Sequence, residues 1–155
     1  MVNGSTASAY AEKFNRVFDY IDKHLGEELS VEQLSQVANF SKFHFHRQFS
    51  EYAGITVFRY IRLMRLKRAS YRLVFSEQAR IIDIALEAGF ENPESFSRAF
   101  KNAFGQTPSQ FRTSPAWQPW NEQYRIPASE RKPVMEIEIV DFETTAVAAL
   151  EHRGA

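Results

Sequence analysis

The sequence predicts an all-α protein built of two helix-turn-helix subdomains joined by a long linking helix, followed by a linker and a short β-strand tail from an incomplete second domain. Three observations carry that prediction. In the stretch from Gly89 to Arg112, Phe96, Phe100 and Phe104 recur every four residues between Asn92-Pro93-Glu94, which has the chemistry of a helix start, and Gly105, which stops the helix. The same unit occurs earlier in the chain. Aligning Gly54 with Gly105 pairs Phe45 with Phe96, Arg47 with Arg98, Phe49 with Phe100 and Thr56 with Thr107, all at an offset of 51 residues. Upstream the offset is 50, where Phe40 pairs with Phe90, Ala38 with Ala88, Leu34 with Ile84 and Val31 with Ile81, so the second copy carries one extra residue in its turn. Fourteen phenylalanines make some coincidence expected, but Gly, Arg, Thr and Phe matching together in order point to a duplicated helix-turn-helix. The third observation is a change of period near the end, where Met135, Ile137 and Ile139 alternate with Glu136 and Glu138.

The elements follow in order. Met1 to Ser8 is small and polar and is expected to be disordered. From Ala9 to Leu25, the residues Tyr10, Phe14, Val17, Phe18, Ile21 and Leu25 fall at steps of three and four, an amphipathic first helix that Gly26 stops. Ser30 with Gln33 forms a capping box for a second helix with Val31, Leu34 and Val37 inward, and Asn39 supplies the turn. Ser41 caps a third helix, 42–52, with Phe45, Phe49 and Tyr52 or Ala53 on its stripe, and Gly54 closes it. Thr56 opens the longest helix, which runs to about Phe75 with Leu63, Leu66 and Leu73 on one side and Arg65, Arg68 and Arg72 on another. Ser76 to Arg80 connects it to a helix over Ile81 to Ala88, with Ile81, Ile84, Ala85 and Ala88 inward. The helix 93–104 comes next, and Thr107-Pro108 starts one more. Beyond Arg112, four prolines break up a segment holding Trp117, Trp120 and Tyr124, which reads as an extended linker lying against something, because tryptophans are seldom left in water. The alternating run from Val134 reads as a strand, with a second at Ala146 to His152, and two strands do not make a stable sheet alone.

At 155 residues the chain has room for one domain, or one domain and a fragment. Its formal charge is zero, but the charge is unevenly distributed. Val37 to Arg72 holds eight Lys or Arg against one acid, Glu51, while acids outnumber bases six to three before it and seven to four after Ser114. A basic middle between acidic flanks fits a local phosphate-binding face, or a solvated helix surface. With no cysteine, disulfides, thiol chemistry and cysteine-based zinc sites are excluded. The N-terminus has no apolar run of the kind a signal peptide needs, and no stretch approaches the ~20 apolar residues that span a bilayer. A cytoplasmic protein without membrane association is expected.

With the repeat, the linking helix and the runs Gly89-Phe90, Phe100-Lys101, Gly105-Gln106-Thr107-Pro108 and Phe111-Arg112 in view, the chain resembles the AraC/XylS family of bacterial transcription regulators over about Tyr10 to Arg112. Within that family it is most similar to the MarA, SoxS and Rob branch, where the DNA-binding domain comes first. The tail from Val134-Met135-Glu136-Ile137-Glu138-Ile139 to His152-Arg153-Gly154 is similar to the start of a GyrI-like effector domain. The resemblance divides the chain into a DNA-binding domain at 9–113, a linker at 114–133 and an effector-domain fragment at 134–155. It also implies that the helices at about 42–52 and 93–104 enter successive major-groove segments of double-stranded DNA. Carried over by position, Lys42, Phe43, His46 and Arg47 would face DNA from the first, and Glu94, Ser97, Arg98 and Lys101 from the second. A guanidinium reads guanine O6 and N7 together, so Arg47 and Arg98 suit that role, with a surface ion pair as the alternative. Phe43 lies off the apolar stripe, free to pack on a thymine methyl or to staple onto the preceding helix. Glu94, where glutamine is common in this branch, accepts from cytosine N4 or simply complements the helix dipole. The resemblance further implies a monomer on an asymmetric site, contact with RNA polymerase and activation of transcription.

Other functions have less support. The histidines are the only foothold for an enzyme, yet His44 and His46 are two apart on a helix, about 200° around it, and do not share a metal. His24 and His152 are isolated, and the Ada type of repair methyltransferase, which carries this architecture, needs the cysteines that are absent. No catalytic residue, cofactor or metal is expected. A ligand-sensing or protein-interaction module is the remaining alternative; it rests on the tail, and a tail cut short there is expected to bind no effector.

Overall fold

The computed structural model describes residues 4–124 of the chain. Among these residues eight helices run in the order α1 Gly4–Lys23, α2 Val31–Ala38, α3 Lys42–Ala53, α4 Val57–Phe75, α5 Ile81–Glu87, α6 Pro93–Phe104, α7 Pro108–Thr113 and α8 Gln118–Gln123. The strands expected from Val134 and at Ala146 to His152 lie outside the described residues, as does the rest of the 134–155 fragment.

Helix boundaries follow capping chemistry. The Ser30 hydroxyl accepts from the backbone N–H of Gln33 at 3.2 Å while the Gln33 side chain accepts from the Ser30 N–H at 3.0 Å. Thr107 and Gln110 repeat this box at the start of α7 with 3.3 and 3.0 Å. Ser41 caps α3, Thr56 caps α4 and Asn92 caps α6 through side-chain oxygens. Neither α5 nor α8 has a side-chain cap; in α5 Arg80 instead pairs with Asp83 at 2.9 Å, and that contact holds the Asp83 carboxyl below its usual range.

Two expectations need correction. The first helix begins at Gly4 rather than Ala9, so 4–8 is helical rather than disordered. Those residues lack the apolar stripe that betrays a helix, but once the amphipathic run beyond them has nucleated, extension fixes one residue per hydrogen bond. The segment after Arg112 is also not wholly extended. Pro119 sits at the start of α8, where its missing N–H costs nothing. The expectation that its tryptophans pack against something does hold: Trp120 is 3% exposed and stacks on Phe104 with ring centroids 4.8 Å apart.

Packing joins the helices into two neighbourhoods that share α4. α1 lies on α2, α2 on α3 and α3 on the start of α4; beyond that, α4 touches α5, α6 and α7, while α6 carries α7 and α8. Phe14, Phe18, Phe45, Phe49 and Tyr60 are buried in the first neighbourhood, and Phe96, Phe100, Phe104 and Phe111 in the second. Leu63, Leu66 and Leu73 on α4 are buried, as their spacing predicts. In α2, Leu34 is buried with Ser35 and Ala38, whereas Val31 and Val37 are only half-buried.

Candidate nucleic-acid interface

Each unit presents a short helix, a left-handed turn and a second, longer helix. In the first unit the turn is Asn39, at φ 56°; its N–H donates to the Gln36 carbonyl at 3.1 Å and the Phe40 N–H donates to that of Ser35 at 2.9 Å. In the second unit Gly89 occupies the place 50 residues on, at φ 83°, with Leu86 and Ala85 as the acceptors, both at 3.0 Å. The inserted residue is Glu91, exposed between Phe90 and the capping Asn92. From there the second copy runs 51 residues behind the first down to ring geometry. The Phe45–Phe49 pair has centroids 5.8 Å apart at 47°, and Phe96–Phe100 has 5.6 Å at 46°. Gly54 and Gly105 end the two longer helices at the same left-handed φ of 75° and ψ of 0°.

With the phenylalanine stripes buried, the opposite strips of α3 and α6 face outward. On α3, Phe43 is 81% exposed, which shows that it does not staple onto α2. Lys42 is exposed and hydrogen-bonded to the carboxylate of Glu32, a contact that keeps the Glu32 carboxyl below its ordinary range. His46 is half-buried, its ring 6.5 Å from that of Phe58, and Arg47 is exposed with Nε 3.4 Å from Oε1 of Glu51. On α6, Glu94, Arg98 and Lys101 are exposed and Ser97 is half-buried. Among the described residues Arg98 has no ion pair; with Ser95 and Asn102 it borders a hollow of about 520 Å³. The predicted site residues thus fall on two strips, one per helix, at three- and four-residue spacing.

Sequence reasoning misplaced part of the charge and missed a neighbour. Of the eight bases between Val37 and Arg72, Arg65, Arg68 and Arg72 are engaged within the protein. Arg65 donates to the carbonyls of Leu25 and Glu27, Arg68 to that of Glu87, and Arg72 to the carboxylate of Glu87 at 3.1 and 3.0 Å. The cations left exposed nearby are Arg59 and Arg62 of α4. Arg62 sits 4.9 Å from the centroid of the Phe90 ring and lines the same hollow as Arg98. By spacing Arg62 falls on the Leu66 and Leu73 side of α4, so helical periodicity carried no signal for it.

Two helices of this kind, each set by a left-handed turn behind a scaffolding helix and each with a polar outer strip, define a double helix-turn-helix DNA-binding module. The helix-turn-helix domain family matches residues 34–114, and the chain belongs to the AraC-type members of that family. It is 42% identical over 104 residues to the uncharacterized HTH-type transcriptional regulator YbfP of Bacillus subtilis, matching 67% of this chain and 35% of that one. It is 37% identical over 98 residues to the right origin-binding protein of Escherichia coli, matching 63% of this chain and 34% of that one. The chain therefore spans about a third of the length of these curated relatives. Among solved structures it is similar to the C-terminal domain of AraT, a response regulator from Geobacillus stearothermophilus, with a TM-score of 0.57 and 29% identity over 66% of this chain and 84% of that one. No helix among the described residues is long and apolar enough to cross a membrane.

Proposed function

We propose that α3 and α6 are the two helices that read DNA, entering successive major-groove segments of one double-stranded site. The observation that carries this reading is the pair of outward strips, with Phe43, His46 and Arg47 matching Glu94, Ser97 and Arg98 in position across the repeat while the phenylalanine stripes behind them are buried. On this reading Arg47 and Arg98 each make a paired contact to guanine, about 1–3 kcal/mol of discrimination apiece. Phe43 packs on a thymine methyl, His46 and Ser97 bond to base edges, and Glu94 accepts from cytosine N4. Lys42, Arg62 and Lys101 bind phosphates.

Helix α4 acts as the ruler between the readers. Its 19 residues, at ~1.5 Å each, span about 28 Å, short of the ~34 Å of one DNA turn, so the duplex bends toward the protein. Because the two strips differ in chemistry, the site is asymmetric and one copy of the chain occupies it. The resemblance to the family adds contact with RNA polymerase and activation of transcription; a reporter that shows only repression would reverse that sign. The folded module extends past 113, since Trp120 belongs to the second core.

The test is titration of the purified chain against a duplex selected from random sequence and against random duplex, over a range of salt. Phosphate contacts make log K fall with log salt, with a slope near −0.9 per phosphate neutralised. Affinity independent of salt, or equal for both duplexes, would overturn the reading.

A further inference from the structure

Two arginines of α4 cross between the units in opposite senses. Arg65 donates from Nε to the Leu25 carbonyl at 3.0 Å and from Nη2 to the Glu27 carbonyl at 2.7 Å, both in the turn that follows α1 in the first unit. Its guanidinium simultaneously lies against the second unit: a Cβ on Gly89, the left-handed turn before α6, would stand 3.2 Å from Nη1. Arg68 is the mirror case. Its Nη2 donates to the Glu87 carbonyl at 3.1 Å, at the end of α5 in the second unit, and a Cβ on Gly26 of the first unit would stand 3.4 Å from its Nη1. Each arginine is thus bonded to one unit and packed on a glycine of the other, and both glycines sit in turns that aim the helices around them. Arg72, one turn further on, fixes the carboxylate of the same Glu87.

We infer that Arg65 and Arg68 are positioning residues that lock the distance and the rotational phase between α3 and α6, and so set the spacing of half-sites the protein accepts. Packing alone gives no reason to place two like charges one turn apart in a half-buried seam; burial and the neighbouring Arg68 charge both push the Arg65 pKa down. What the fork supplies is direction. The planar group of Arg65 holds two carbonyls while its Nη1 lies close against a residue without a side chain, a fixed fork that an ammonium does not reproduce. The acceptors are backbone atoms, so the lock fixes the turns themselves rather than mobile side chains.

This inference rests on α3 and α6 being the readers, and its test separates the two claims. The parent, Arg65→Lys, Arg68→Lys and the double lysine variant are titrated against three duplexes: the selected site, the same site with one base pair inserted between its halves, and one half alone. Circular dichroism and urea unfolding check the fold, and the single lysine variants preserve charge if the double variant is too unstable. A rigid pair of readers gains on the order of 100-fold from its second half and forfeits it when geometry forbids both, so the parent is expected to lose about that much on insertion. The lysine variants are expected to bind one half as the parent does yet to lose less than about tenfold on insertion, as a flexibly joined pair would. A folded lysine variant with the parent's full spacing penalty would overturn the lock. A parent that binds the whole site no better than one half would overturn the two-reader reading, and the lock with it.

Discussion

The two helix-turn-helix units share their internal geometry and differ on their outer faces. Phe49 meets Tyr60 at 5.8 Å and 67°, and Phe100 meets Phe111 at 5.3 Å and 80°, the same edge contact 51 residues apart. Both longer helices end on a left-handed glycine and both successors open on a capping threonine, Thr56 and Thr107. The outer strips share only their arginine. Where the first has Phe43 and His46, the second has Glu94 and Ser97; where Arg47 leans on Glu51, Arg98 has no such neighbour among the described residues. The covering also differs: Phe14 and Phe18 of α1 lie against Phe49 in the first core, whereas Trp120 of α8 stacks on Phe104 in the second. A duplicated scaffold constrains what must be buried and leaves exposed positions free to diverge, so one fold carries two unlike readers.

The largest test of that likeness is in the cores. Phe49→Ala and Phe100→Ala each empty a fully buried ring site, and each is expected to cost about 3–5 kcal/mol in urea unfolding. Equal losses match the repeated packing, whereas a loss confined to one variant would show that one core does not depend on its central ring. On DNA the likeness should break. Arg98→Ala is expected to weaken binding by about 1–3 kcal/mol through the second half-site alone. Arg47→Ala should weaken the first half by less, because parent Arg47 must first leave Glu51, an exposed contact worth up to about 1 kcal/mol. Half-site titrations in which Arg47→Ala costs more than Arg98→Ala would contradict this.

Gly54→Ala and Gly105→Ala return to the likeness. Nothing lies within 4 Å of a Cβ at either place, so the cost is that of a left-handed backbone alone, about 1–2 kcal/mol in each unit by thermal unfolding. The smallest effect is expected from Glu51→Gln, which frees Arg47 and should raise first-half affinity by less than about fivefold. An unchanged or lower affinity would show that the ion pair does not compete with DNA.

The residues that made the fold legible were the caps and stops. Ser30, Ser41, Thr56, Asn92 and Thr107 mark helix starts because a side-chain oxygen next to an open N–H is a local event, written within four residues. The outward strips were legible for the same reason, since a helix fixes which residues share a face. The roles of Arg65, Arg68 and Arg112 were not. Arg65 bonds to carbonyls 38 and 40 residues away, and Arg112 holds the carbonyl of Leu73 in the last turn of α4 and that of Ala79 beyond its end. A backbone acceptor leaves no mark in residue type, so those cations were indistinguishable from phosphate binders. The start of α1 escaped because small polar residues carry no periodicity, and α8 because the prolines of its segment looked like breaks when one of them, Pro119, sits at a helix start.

The central claim, that one repeated scaffold carries two different readers, is tested most directly by selecting from random duplexes with the parent and with Arg98→Ala side by side. The account predicts that the parent enriches a site of two unlike halves about one DNA turn apart, and that the variant keeps the first half and blurs the second. A symmetric repeat, or a variant whose halves blur together, would contradict it.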